Sequence, residues 1–260
     1  MPISRIEYLR PVFESLDKLE RPSDTELLII TDGDRELGRA VEKRIENLNY
    51  TRIRVINFGD APAEKIENRR YRIAGIHNKL RHYIPNNCEY VMAWEDDTII
   101  QPNSLIKLLD VFNMYEDCAF VEGVELGRHS TAYLGGWIAD DIKNPQVITS
   151  VEPPYVGNPL KREYNEVVLP IDAGGLYCAL IKADLYKQHN FKPYDTQGKN
   201  GLGCDVNLGL WLRNKGYTCF IDWHVRCDHI GIHGSVNLGN TIVKQVEFKK
   251  VNNLWEARTL

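Results

Sequence analysis

The chain has no Cys-x-x-Cys pair, no internal repeat and no low-complexity linker. Nor does any run approach the ~20 apolar residues that a membrane-crossing helix needs. The N-terminal segment lacks the apolar core of a secretory signal. The six cysteines, Cys88, Cys118, Cys178, Cys204, Cys219 and Cys227, fall mostly in apolar runs. They read as buried free thiols of a reducing compartment. These absences together predict a soluble, cytoplasmic protein. A basic excess is missing too: 36 acidic residues outnumber 32 basic ones, for a net charge of −4. That gives no support to a nucleic-acid groove, which shows a basic excess or stripe. What remains is an ordinary globular composition, and 260 residues suffice for one large α/β domain or two small ones.

The most informative stretch that is present runs from residue 90 to 102. An apolar run, Tyr90 to Trp94, ends in three consecutive carboxylates, Glu95, Asp96 and Asp97. Apolar residues resume, and Pro102 opens a helical pattern. Adjacent like charges repel, and a buried strand end raises that cost. A divalent cation carrying a phosphorylated ligand would relieve it, because hard cations take carboxylate oxygens. The alternative is a solvated acidic turn.

Around this stretch the periodicity alternates. Ile6, Leu9, Val12, Phe13, Leu16 and Leu19 predict an amphipathic helix over 5–19, with Pro11 in its first turn or at a kink. Glu26 to Thr31 predicts a strand buried on both faces, ended by Asp32-Gly33-Asp34. A helix follows from Arg35 to Asn47, then a strand from Thr51 to Phe58 and a basic helix over 64–83. After the Tyr90 strand come a helix from Ser104 to Tyr115 and a strand from Ala119 to Val124. That order predicts an α/β fold: a mostly parallel, Rossmann-like central sheet flanked by helices, with ligands at the strand carboxyl ends. The second half is less regular. Residues 127–170 predict long loops or an antiparallel excursion. Asp172-Ala173-Gly174-Gly175 leads into the run Leu176 to Ile181. Gly203-Cys204-Asp205 precedes a helix ending near Gly216, then a strand from Tyr217 towards Asp228-His229. The tail has helical character from Val243 to Trp255. The expected organisation is a single domain in three parts, 1–125, 126–235 and a tail over 236–260.

Four motifs in this order resemble the GT-A glycosyltransferases, in particular the family 2 group that uses nucleotide-diphosphate sugars, over residues 2–231. They are the strand ending in Asp32-Gly33-Asp34, the helix carrying Arg72 and Asn78, Glu95-Asp96-Asp97 as an Asp-x-Asp region, and Gly203-Cys204-Asp205 before an apolar helix, a Gly and an aromatic. The resemblance implies metal-dependent transfer of a hexose from a UDP- or GDP-sugar to an acceptor hydroxyl, with Mn²⁺ or Mg²⁺ and inversion of configuration. It implies Asp97, Glu95 and His229 as metal ligands. It implies Asp32, Asp34, Arg72 and Asp96 at the nucleotide. It implies Asp172, Gly174 and Gly175 at the donor sugar and Asp205 as base. The acceptor is open among glycan, protein and small molecule. The chain departs from the family in two places. Met1 to Arg5 resembles the loop after the family's first strand, so that strand is missing, replaced by another segment, or ahead of the recorded start. An acidic residue before the base is Cys204 here.

Other readings compete. Asp32 and Asp34 would serve equally as a turn and a helix cap, and Asp205 as a cap. Gly174-Gly175 would suit a tight turn. His224, His229 and His233 with Asp222, Cys227 and Asp228 raise a zinc hydrolase, against their irregular spacing. A nucleotidyltransferase needs a Gly-rich basic loop that Asp32-Gly33-Asp34-Arg35 matches poorly. A non-catalytic GT-A-like domain that binds a sugar nucleotide or a partner is the remaining alternative.

Overall fold

A computed structural model describes residues 1–4, 8–31, 35–57, 69–126, 133–143, 145, 148–150, 168–194, 203–229, 246–251 and 254–259. The first half runs β1 (Pro2–Ile3), α1 (Leu9–Lys18), β2 (Glu26–Thr31), α2 (Arg35–Ile45), β3 (Arg52–Asn57), α3 (Arg69–Leu80), β4 (Tyr90–Trp94), β5 (Thr98–Ile99), α4 (Ser104–Met114) and β6 (Cys118–Leu126). Then follow β7 (Tyr133–Leu134), β8 (Trp137–Ala139), β9 (Ile148–Ser150), β10 (Val168–Ile171), β11 (Cys178–Lys182), α5 (Ala183–Gln188), α6 (Cys204–Asn214), β12 (Thr218–His229), β13 (Val246–Val251) and β14 (Leu254–Thr259).

The mostly apolar β2 forms where expected and lies between β1 and β3, both parallel to it. Pro2–Ile3 is thus a short strand, paired with Ile30 and Thr31, and not the loop its sequence resembles. Its two residues are too few to show a period, but Ile3 is fully buried. The larger sheet runs β10-β12-β6-β11-β4, with β5 and β7 at its margins. Within it only β12 and β6 are parallel; the other pairs are antiparallel. The α/β class with a helix-flanked central sheet holds. The parallel character is concentrated in the first three strands, which α1 and α2 connect as crossover helices.

Strand alternation builds the two layers of core. Along β11, Cys178 and Leu180 join the cluster that contains α1 and α4 residues, whereas Ala179 and Ile181 join the one containing α5 and α6 residues. Each fully buried Leu or Ile contributes about 1.5–3 kcal/mol. Helix α1 buries Leu9, Val12, Phe13 and Leu16 on one stripe, and Pro11 sits in its first turn, where no intrahelical donor is needed.

β12 does not stay in step with β6. Ile221 faces Glu122 and Arg226 faces Val124, so four residues bulge out opposite Gly123. A Cβ on Gly123 would lie 2.6 Å from Val225 Cγ1 and 2.8 Å from Val225 O, so only glycine fits beneath the bulge. Asp222 holds it, accepting the His224 backbone N–H at 2.8 Å and lying 2.7 Å from His224 Nδ1.

The tail departs from expectation. Residues 246–251 and 254–259 form an antiparallel hairpin, Val251 opposite Leu254, and not a helix. The Val-Glu-Phe-Lys alternation suits a strand. Among the described residues no helix is long and apolar enough to cross a membrane.

Candidate active site

The acidic triplet occupies the turn between β4 and β5, and it is not a solvated turn. Asp96 is 6 % exposed and Asp97 is fully buried. The turn is braced from several sides. Trp94 Nε1 donates to Thr98 O at 2.7 Å and Thr98 Oγ1 to Glu125 Oε1 at 2.7 Å. Ser15 Oγ donates to Ile100 O at 3.0 Å. Asp96 Oδ2 accepts from the Ser4 backbone N–H at 2.6 Å and from Ser4 Oγ at 3.0 Å, which ties the segment after β1 to the turn. β5 continues from the turn and pairs with the end of β12, placing His229 opposite Thr98, one residue from Asp97.

Glu95 turns towards a cleft of about 80 Å³ lined by Arg70, Ile73, His77, Glu95, Leu176, Gly203, Cys204 and Asp205. Arg70, Ile73 and His77 are spaced i, i+3, i+7 and therefore form one stripe of α3. The opposite wall is the start of α6. Gly203 is extended at φ −67°, ψ 174°, and the helix begins at Cys204. Asp205 follows in the first turn, where the positive helix end favours a carboxylate. It is half-buried, its Oδ1 accepts from Val206 N–H at 2.9 Å, and it packs against Gly203 where a Cβ would sit. Burial pushes its pKa up; Val206 N–H and the Arg70 charge oppose that rise. At its far end α6 stops at Gly216, φ +89°, where Gly216 N–H bonds Arg213 O and Tyr217 N–H bonds Leu212 O.

Behind the cleft lies a carboxyl that sequence reasoning missed. Glu122, on β6, is fully buried and accepts the Gly175 N–H through Oε2, while Oε1 has no hydrogen-bond partner. Burial holds its pKa well above the ordinary carboxyl range, with the Gly175 and Tyr177 hydrogen bonds opposing. A Cβ on Gly174 would lie 2.6 Å from Glu122 Cδ and 2.7 Å from Oε1. Neither Gly174 nor Gly175 has a positive φ, so close packing on Glu122, Phe120 and Tyr177, and not a tight turn, requires glycine there. The available signal was a lone carboxylate in the apolar run Cys118 to Val124.

The remaining expected residues divide as follows. Asp172 places both oxygens inside the protein, accepting from Arg213 Nε at 3.1 Å and Ala139 N–H at 2.9 Å, so it braces the 172–175 loop. Arg72 lies off the α3 stripe that lines the cleft; Arg70 is the guanidinium brought there. Asn78 clamps the Phe191 backbone through bonds of 2.7 and 2.9 Å. Asp32 and Asp34 lie outside the described residues, as do His233 and the side chain of His229. His224 is engaged by Asp222 in the bulge and Cys227 is fully buried. Among the described residues no three His, Cys, Asp or Glu side chains assemble into a metal-binding group.

No protein-family model matches the chain, and no curated protein matches it in sequence. Solved structures do overlap it. The mannosyltransferase PcManGT from Pyrobaculum calidifontis, in complex with GDP-Man and Mn²⁺, aligns at a TM-score of 0.57 and 11 % identity over 88 % of this chain and 55 % of that one. GalNAc-T7 with UDP, GalNAc and Mn²⁺ aligns at 0.52 and 11 % over 79 % of this chain and 37 % of that one. The chain has a GT-A-like fold. At 11 % identity the likeness is one of fold, and this GT-A-like chain spans 55 % or less of either protein's length. A197 from STIV overlaps 79 % of this chain and 84 % of its own at 11 % identity, with a TM-score of 0.43.

Proposed function

We propose that this GT-A-like chain is a metal-dependent glycosyltransferase, similar to family 2, that moves a hexose from a UDP- or GDP-sugar to an acceptor hydroxyl with inversion. The observation that carries the reading is the convergence of Glu95, from the braced acidic turn, with Arg70 and Asp205 around one cleft. The two overlapping proteins, one in complex with GDP-Man and the other with UDP and GalNAc, both with Mn²⁺, support the same class of donor and cation.

Asp97, Glu95 and His229 supply the carboxylate and imidazole donors that suit Mn²⁺, or Mg²⁺ through the carboxylates. The β5–β12 register supports that grouping, since it sets His229 beside the turn. The cation, when bound, neutralises charge on the diphosphate. Asp32, Asp34 and Arg72 would contact base and phosphate. Asp96 faces the ribose with its Ser4 bonds fixing its position. The loop of Asp172, Gly174 and Gly175, held by Asp172 and Glu122, would border the donor sugar. As the acceptor oxygen attacks the anomeric carbon, its new C–O bond forms. The bond to the diphosphate breaks, the electron pair leaves with the diphosphate, and the acceptor proton passes to Asp205. A raised pKa suits a base working near neutral pH. In this scheme residues 1–125 bind the nucleotide sugar, 126–235 serve donor sugar and acceptor, and 236–260 form a tail.

Asp205→Asn is expected to keep nucleotide binding and lose transfer by about 10²–10⁴-fold, the usual worth of a positioned base. A variant that transfers at the normal rate would refute the base. A non-catalytic sugar-nucleotide-binding domain is the second reading, favoured by the small cleft and by Asp96 being bonded to Ser4. Tight binding with no turnover across a broad acceptor array would establish it.

A further inference from the structure

The cleft's chemistry bears on its occupant. Its walls offer two hydrogen-bond acceptors, Glu95 and Asp205, two donors, Arg70 and His77, and the apolar side chains Ile73 and Leu176. His77 is 3 % exposed, and its Nδ1 lies 2.6 Å from the hydroxyl of Tyr186, itself 2 % exposed. A buried O–H needs an acceptor, and the Tyr186 hydroxyl has Nδ1 beside it. Tyr186 therefore donates to Nδ1, which leaves the ring proton on Nε2. Stacking on Phe191, centroids 5.1 Å apart and rings 28° inclined, fixes the ring, and the Asn78 clamp fixes Phe191. No described group bonds Nε2. His77 thus carries a buried donor and is one of the residues that line the cleft. Burial drives its pKa down to about 3, so it stays a neutral N–H donor at working pH.

About 80 Å³ is well under the roughly 300–1,000 Å³ of sites that enclose a whole nucleotide-sized ligand. A neutral polyhydroxylated ring fits better. Its hydroxyls both give and accept hydrogen bonds, and its C–H edge packs on apolar side chains. We propose that this cleft is a subsite for one edge of a pyranose, the acceptor sugar, read by His77 Nε2–H donating to one hydroxyl while another donates to Asp205. The acceptor role rests on the transferase reading; the saccharide site itself does not.

The test is saturation-transfer NMR of the whole chain with methyl glycopyranosides of glucose, galactose and mannose, with inorganic phosphate as the anionic competitor. At least one glycoside is expected to bind at millimolar strength. His77→Phe, which keeps the stacking ring, is expected to weaken it roughly ten-fold, the scale of one lost hydrogen bond. His77→Gln, which restores an N–H donor, is expected to recover part of the loss. Tyr186→Phe leaves the cleft wall intact but frees the tautomer, and is expected to weaken binding less. It also serves if His77→Phe fails to fold. No glycoside signal, displacement by phosphate, or unchanged binding in both His77→Phe and Tyr186→Phe would overturn the subsite. Additive binding with UDP or GDP plus Mn²⁺ identifies the acceptor position, and competition would overturn it. Glycoside binding that depends on His77 without any nucleotide binding would retire the transferase reading and leave the saccharide site standing.

Discussion

Glu122 illustrates how one residue couples the core to the cleft. Burial raises its pKa in the fold and so favours the neutral carboxyl, while its unfolded counterpart ionises above pH ~4.3. Over that window the native state binds more protons, so stability falls as pH rises, by up to about 1.4 kcal/mol per pH unit, until the native group ionises too. Glu122→Gln keeps a carbonyl for the Gly175 N–H and removes the titration. Its unfolding free energy is therefore expected to gain on the wild type's as pH rises from ~4.3 towards the raised native pKa, read in urea titrations. A pH-independent difference would contradict the protonated carboxyl. At this scale the sequence was partly legible. The acidic turn and Asp205 stood out because adjacent charges and a helix start are local signals. Arg70 and His77 belong to a helix whose charged residues surround it, so only the packed structure says which stripe faces the cleft. Glu122 needed knowledge of which loop lies over β6.

At the scale of elements, α6 matters most because it carries Asp205. It sits on the 172–173 segment through Gly209, where a Cβ would lie 2.7 Å from both Ala173 Cβ and Asp172 O and closer still to Ala173 Cα. Gly209→Ala must push the helix off that loop. The expected cost is about 1–3 kcal/mol, read as a lower Tm, with reduced transfer because Asp205 moves with the helix. An unchanged Tm would show the contact to be compliant. Most elements were legible from periodicity: α1, β2, α4 and α6 form close to where the apolar spacing sets them. The exceptions have physical causes. β1 is too short to carry a pattern. The bulge in β12 arises from a tertiary fit over Gly123 that no local sequence encodes. The tail's alternation was outweighed by its helix-compatible composition.

For the whole molecule, the α/β class followed from the order of apolar runs, but strand direction in the second half did not. Antiparallel and parallel partners are chosen by crossovers whose path lies outside any short window. The fold gathers the turn after β4, one stripe of α3 and the start of α6 around one cleft, and the account's central claim concerns what that rim holds. The most direct measurement is a thermal-shift titration of the chain with UDP and GDP, each with and without Mn²⁺. A ligand at a hundred times its Kd stabilises by about 2.7 kcal/mol, a rise of several degrees for a chain of this size. The expected result is such a rise for at least one nucleoside diphosphate, only with Mn²⁺ present, and its loss in Asp97→Ala. A melting temperature unmoved by either nucleotide with the cation, or moved equally without it, would contradict the claim.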